Sequence, residues 1–240
     1  FNWLIVVISM KKIISFIING INSEIIKKIL PKFLKKHKII GIYNSIYTGP
    51  RHNKNLTILK KNQKSLNKIE GLIKNEKKIT FINFAAKRDK GLVLKFNKKI
   101  FIDTIQNNII DSLNILKILL PIMIKNNFGR IIFSSSSTAE NGSIGNIGYS
   151  SSKSSLKGIS GTIAKEYKDY NITSNILSLG YFNSRMWTSL PEKNKKNLIS
   201  NTLNRKLCDE NAIYEIIETL IKFNSINKST IFIDGGNLQK

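Results

Sequence analysis

Short, unbroken apolar runs alternating with segments of helical periodicity constrain this chain more than any other feature. The runs fall at residues 13–18, 38–43, 56–59, 79–84, 130–133, 171–179 and 230–233. A run of that length without polar alternation suits a strand buried on both faces, which is the condition of a parallel sheet. Parallel neighbours need long crossovers, and the intervening helical segments supply them. The expected fold is therefore α/β: a doubly wound, mostly parallel seven-stranded sheet with helices on both faces. With 240 residues, no internal repeat and no Pro/Ser-rich linker, one domain accounts for the chain.

The first of these units has a specific shape. The run at 13–18 ends in Asn19-Gly20, and Ser23 is placed to cap a helix with Ile25, Ile26, Ile29, Leu30, Phe33 and Leu34 on its apolar side. A strand, a glycine turn and a helix in that order aim free N–H groups and the positive end of the helix dipole at a dinucleotide diphosphate. The next strand ends in Tyr43-Asn44-Ser45, with Arg51, His52 and Lys54 following. A carboxylate at that strand end would accept hydrogen bonds from an adenine-ribose hydroxyl and argue for NAD. Its absence, with basic residues nearby, leans toward the 2'-phosphate of NADP. Pro31 falls inside the helical segment, where it removes a hydrogen bond at a cost of about 3 kcal/mol unless the helix kinks.

A second constellation lies between Gly129 and Lys153. A strand, Arg130-Ile131-Ile132-Phe133, runs into the serines 134–137, a Gly/Asn-rich loop and then Tyr149-Ser150-Ser151-Ser152-Lys153. If a helix begins near Tyr149, residues four apart share a face and the phenol lies beside the ammonium of Lys153. A free phenol ionises near pH 10, and an adjacent fixed cation draws it toward the neutral range where proton transfer is useful. Ser136, at the end of the strand, can hydrogen-bond a substrate oxygen that also faces Tyr149. In a lysine-rich chain a Tyr-Lys pair at this spacing arises by chance, so its context carries the argument.

That context resembles the catalytic segment of the short-chain dehydrogenase/reductase family, and the likeness runs from about residue 11 to the C-terminus. The resemblance implies a Rossmann-type fold and hydride transfer between NADP or NAD and a carbonyl/alcohol pair. Tyr149 would be the proton donor, Lys153 its partner and a nicotinamide-ribose ligand, Ser136 the group orienting the substrate oxygen. Asn108, spaced from Gly129 as the family's asparagine is, would hold a water joining Lys153 to solvent. The resemblance places the cofactor against Gly20, Asn22, Ser23 and Ile25 in the first turn, Asn44 after the second strand, and Asn83 and Ala85 after the fourth. Tyr149 and Lys153 complete the nicotinamide side with Gly180, Phe182 and Ser184. Residues 83–86 read Asn-Phe-Ala-Ala where the family has Asn-Asn-Ala-Gly, and residues 87–96 look like the following segment of 3-oxoacyl-acyl-carrier-protein reductases. Glu24 and Ile26 stand at the family's second and third turn glycines, Leu59-Lys60-Lys61-Asn62 lacks its adenine-contacting acid, and Leu179 replaces a proline. The substrate implied is a small carbonyl or alcohol, or an acyl thioester, and the assembly a homotetramer or homodimer. Residues 187–206 correspond to a lid over the substrate.

Composition sets the remaining expectations. One cysteine excludes an internal disulfide, and with two histidines and no Cys/His cluster no metal site is expected. A reducing, cytoplasmic setting follows. The formal charge of +24 comes from lysines scattered among asparagine and isoleucine along the whole chain, as a shared codon bias would produce, so no specific nucleic-acid partner is expected. Residues 1–9 are almost wholly apolar but too short to span a bilayer, and are read as an extension of uncertain origin before a domain at 10–240; no membrane partner is expected. Two readings stay beside the enzymatic one: a family member that kept the fold and lost turnover, which Ile26, Pro31 and Leu59 would explain, and a basic nucleic-acid binder.

Overall fold

The computed structural model describes residues 14–237, so the extension at 1–9 lies outside the described residues. Seven strands form one sheet: β1 (Ser15–Asn19), β2 (Lys38–Tyr43), β3 (Leu56–Lys60), β4 (Ile79–Asn83), β5 (Gly129–Ser136), β6 (Ile172–Leu179) and β7 (Thr230–Ile233). Their order is β3-β2-β1-β4-β5-β6-β7, and all six pairings are parallel. This is the doubly wound sheet expected from the alternation of apolar runs and helical segments.

Alternation of side chains along each strand divides the core. Phe16, Ile18, Ile39, Ile82, Ile132 and Leu177 face one layer, against α1 (Glu24–Leu34) and α9 (Glu210–Lys222). Ile17, Ile40, Phe81, Ile131, Phe133 and Ile176 face the other. There they meet α2 (Gln63–Ile73), α4 (Asp111–Lys125) and α6 (Ile147–Glu166). Strands buried on both faces need apolar residues at every position, which is why the runs are continuous rather than alternating.

Two helices differ from their sequence reading. The helical periodicity of residues 103–125 suggests one helix, but it begins earlier, as α3 (Lys98–Ile105), capped by the side chain of Asn97 on the amide of Ile100. It reaches α4 through a π-helical turn, Gln106–Ile110. An extra residue in one turn is invisible to a fixed helical period, and such π turns gather at functional sites. By length and composition Lys98–Lys125 could cross a membrane; in this fold Ile115, Leu116, Leu119 and Met123 cover the sheet. Pro31 lies in the last turn of α1, so the bond it removes costs little of the helix, which continues to Leu34.

Three short helices follow β5 and β6: α5 (Thr138–Asn141), α7 (Arg185–Thr188) and α8 (Glu192–Ser200). The winding of the chain reverses at β1, which pairs with β2 on one side and β4 on the other. A crevice opens past the carboxyl ends of strands at such a switch point.

Candidate active site

At the end of β1, Gly20 turns the chain with φ +87°. A Cβ added there would lie 2.4 Å from the amide nitrogen of Ala85 and 2.6 Å from the carbonyl carbon of Phe84, so only glycine permits this approach. Beside it Asn19 donates from Nδ2 to Asn83 Oδ1 at 2.9 Å, a contact fixed by the β1/β4 register. The Nδ2 of Asn83 is buried with no hydrogen-bond partner. A cavity of about 370 Å³ opens here, lined by Gly20, Asn22, Ser23, Asn44 and Ala85, and also by Lys61 and Asn107. Asn22 ties its far wall through a hydrogen bond from the amide of Thr48. We predict that Gly20→Ala costs about 1–3 kcal/mol from the strained conformation alone. Urea unfolding would show the loss.

Ile25 and Ile26 turn their side chains into the core with Ile21 and Phe16, and Ile26 does not enter the crevice. A branched side chain at the third glycine position is accommodated beneath the helix rather than in the cavity. Glu24 begins α1, and its carboxylate accepts from the Nε of Arg185 at 2.7 Å and from the backbone N–H of Arg185 at 2.9 Å. Burial pushes the Glu24 carboxyl up, but these hydrogen bonds and the guanidinium charge outweigh it and hold the group below its usual range.

The catalytic-type residues come together at the ends of β5 and the start of α6. Tyr149 and Lys153 are both buried. The Lys153 ammonium lies 5.8 Å from the Tyr149 ring centroid and donates to the carbonyl of Ser134 at 2.7 Å. The Ser136 hydroxyl lies beside the phenol of Tyr149 and accepts from the Thr138 amide at 3.4 Å. Burial would push that phenol up; the charges of Lys153 and Arg88, with hydrogen bonds from Arg88 and Ser136, outweigh it and bring it below the ordinary tyrosine value. Burial likewise depresses Lys153, more than the neighbouring phenol raises it.

Asn108 sits in the π turn, almost fully buried. Its side chain accepts from the Lys87 N–H at 2.6 Å and donates to the Lys87 carbonyl at 2.9 Å and to the Ser152 hydroxyl at 2.8 Å. The Ser152 hydroxyl in turn donates to the Tyr149 carbonyl at 2.7 Å. Asn108 thus binds the loop after β4 to the turn carrying Tyr149.

On the far side, Gly180 follows β6 so closely that a Cβ would lie 2.6 Å from Asp234 Cα. Phe182 packs on the first core layer, and the Ser184 hydroxyl caps α7 by accepting from the Trp187 amide at 3.1 Å. A second cavity, of about 410 Å³, lies against Ser137, Thr138, Ile144 and Tyr181.

Sequence reasoning assigned no role to Asn19, Lys61, Arg88 or Asp89. The Lys61 ammonium pairs with Asp111, and Asn62 caps α2 by accepting from the Ser65 amide at 2.9 Å. Arg88 stacks its guanidinium over the Tyr149 ring, 4.5 Å from the centroid. Asp89 accepts from the amides of Gly148 and Tyr149 at 2.7 and 2.9 Å, a cap for α6 supplied from 59 and 60 residues away, which local sequence patterns do not reveal.

Comparison with known proteins agrees with this fold. The chain is 28% identical over 231 residues to a 3-oxoacyl-acyl-carrier-protein reductase of Buchnera aphidicola subsp. Acyrthosiphon pisum, covering 91% of this chain and 95% of that one. It is 26% identical over 157 residues to the enzyme of that name from Haemophilus influenzae, covering 65% of each chain. The solved structure described as ElxO with NADP bound superposes with a TM-score of 0.82 at 21% identity, covering 95% of this chain and 99% of that one. A short-chain dehydrogenase family protein from Francisella tularensis superposes with a TM-score of 0.78 at 18% identity, covering 93% and 98%. The sequence model of the short chain dehydrogenase family matches residues 51–195, from after β2 to within α8. That span holds the serine, tyrosine and lysine but not the first glycine turn, where Glu24 and Ile26 depart from the family pattern. The chain therefore belongs to the short-chain dehydrogenase family.

Proposed function

We propose that the protein interconverts a carbonyl and an alcohol with NADP(H) or NAD(H), and that its substrates are 3-oxoacyl thioesters. The observation carrying this reading is the convergence of the Tyr149 phenol with the Ser136 hydroxyl and the Lys153 ammonium, against the loop whose Lys87 lines the Gly20 cavity and whose Arg88 lies over the phenol ring. The residues present fit a dinucleotide: a turn that no Cβ can enter, an unsatisfied buried amide on Asn83, and a cavity ending at Lys87 and Asn107. Gly20, Asn22, Ser23 and the Ile25 backbone would hold the diphosphate side, with Asn44, Asn83 and Ala85 on the adenosine side. Lys153, Gly180, Phe182 and Ser184 would hold the nicotinamide side. When bound, the cofactor supplies the hydride.

The chain's own residues manage the proton and the oxygen. Tyr149 gives its proton to the carbonyl oxygen, Ser136 donates a hydrogen bond to that oxygen, and Lys153 favours the phenolate that remains. The absence of a carboxylate at the end of β2 favours NADP, and the thioester class follows from the two reductases similar to this chain. Exposed Leu94, Phe96, Ile100 and Ile102 form an apolar face suited to pairing of subunits, supporting a homodimer or homotetramer. Residues 187–206 serve as the substrate lid, the domain spans 10–240, and the site of action is the cytoplasm. Oxidation of NADPH and NADH, followed at the nicotinamide absorbance with 3-oxoacyl thioesters and small ketones, tests the proposal. Turnover with neither cofactor would overturn it.

The Glu24–Arg185 pair bears on cofactor affinity. A carboxylate at the start of α1 repels a diphosphate, and its pairing with Arg185 offsets that charge. We predict that Glu24→Gln tightens NADPH binding by about threefold, the scale of a partly exposed charge interaction. Titration of NADPH fluorescence would register unchanged or weaker binding as a contradiction.

A further inference from the structure

Arg88 is held between two fixed neighbours. Before it, both backbone groups of Lys87 are bound by the side chain of Asn108, at 2.6 and 2.9 Å. After it, the Asp89 carboxylate is bound by two amides at the start of α6, at 2.7 and 2.9 Å. Asn108 and Asp89 are themselves buried, 1% and 7% exposed, so both anchors are rigid. The Arg88 side chain is exposed as a whole, yet its guanidinium lies over the face of a buried phenol.

We infer that Arg88 is a positioning residue for Tyr149: a second cation, aimed by Asn108 and Asp89, that holds the hydroxyl toward Ser136 and favours its phenolate. This rests on Tyr149 being the proton donor proposed above. Every neighbour of the phenol has an identifiable part. From α6, Lys153 is buried, so salt screens it little; Arg88, reaching in from the loop after β4, is exposed and open to screening. Ser136 on β5 is a neutral polar neighbour that favours the ionised phenol. Asp89 opposes the two cations, but its oxygens are bound by the helix amides. Tyr181, after β6, also feels the charge of Arg88. The arrangement gives the Asn108 side chain a second task, that of fixing the loop from which Arg88 reaches the phenol.

Tyrosinate absorbance tests the inference without cofactor or substrate. The titration of Tyr149 is obtained by subtracting the curve of Tyr149→Phe from that of the parent, and the same subtraction is made in an Arg88→Gln background. Arg88→Gln should move the Tyr149 transition up by about one pH unit, at the low end for a cation this close because the side chain is exposed. Arg88→Lys should restore most of the parent position. Added salt should move the parent curve toward that of Arg88→Gln, and Asn108→Ala should shift the parent but add nothing once Arg88 is gone. Coincident curves for the parent and Arg88→Gln would overturn the inference, as would an equal salt response in both. Failure of the functional reading looks different: Tyr149→Phe would keep its turnover whatever the titration shows.

Discussion

Tyr149→Phe should lower carbonyl reduction by about 10³-fold, the scale of a positioned general acid, while NADPH binding stays within about twofold of the parent. The substitution removes one oxygen from a buried ring whose packing it leaves alone. What is lost is the hydroxyl whose ionisation Lys153, Arg88 and Ser136 favour. The partial measurements separate cleanly. NADPH fluorescence reads the crevice at Gly20, and steady-state kinetics read the phenol. Comparable turnover in the variant would remove Tyr149 from the chemistry and leave the Ser136–Tyr149–Lys153 cluster as packing.

Lys153→Met should have two effects of opposite benefit. Alcohol oxidation requires the phenolate, so its rate rises with pH through the phenol's ionisation; without the buried cation that limb should move to higher pH and kcat at neutral pH should fall by about 10²-fold. Stability should go the other way. Burial holds Lys153 below the ordinary lysine value of 10.5, so the folded chain binds that proton more weakly than the unfolded chain. Below the folded value both states are charged and folding bears the full desolvation cost. That cost vanishes as pH rises through the folded value toward 10.5. Methionine fills a similar volume without the charge, and replacing buried charge by apolar side chains commonly stabilises. At neutral pH Tm should rise by about 2–4 °C, what ~1 kcal/mol gives in a domain of this size. The gain should shrink as pH climbs toward the lysine range, and thermal scans across pH would detect a gain that instead grows.

The sheet was legible because burial on both faces writes itself as continuous apolar runs, as at Phe16-Ile17-Ile18 and Phe81-Ile82. The Tyr149–Lys153 spacing was legible because a helix places residues four apart side by side. What the sequence does not show is the long-range polar wiring. Asp89 caps a helix that starts far along the chain, Asn108 clamps Lys87 through an extra residue in a π turn, and Glu24 meets Arg185 across 161 residues. None of these has a local signature, since each depends on the parallel order that brings the ends of β1, β4, β5 and β6 to one edge of the sheet. Ile26 shows the reverse case. It breaks the glycine pattern, yet its side chain packs in the core beside Ile21 and spares the crevice.

The most direct test follows deuterium from NADPH labelled at the transferring position of the nicotinamide ring, in the presence of 3-oxoacyl thioesters and small ketones. Deuterium recovered on the former carbonyl carbon of the product, and lost with Tyr149→Phe, is the predicted result. Saturable NADPH binding with no label transferred to any of these carbonyls would contradict it.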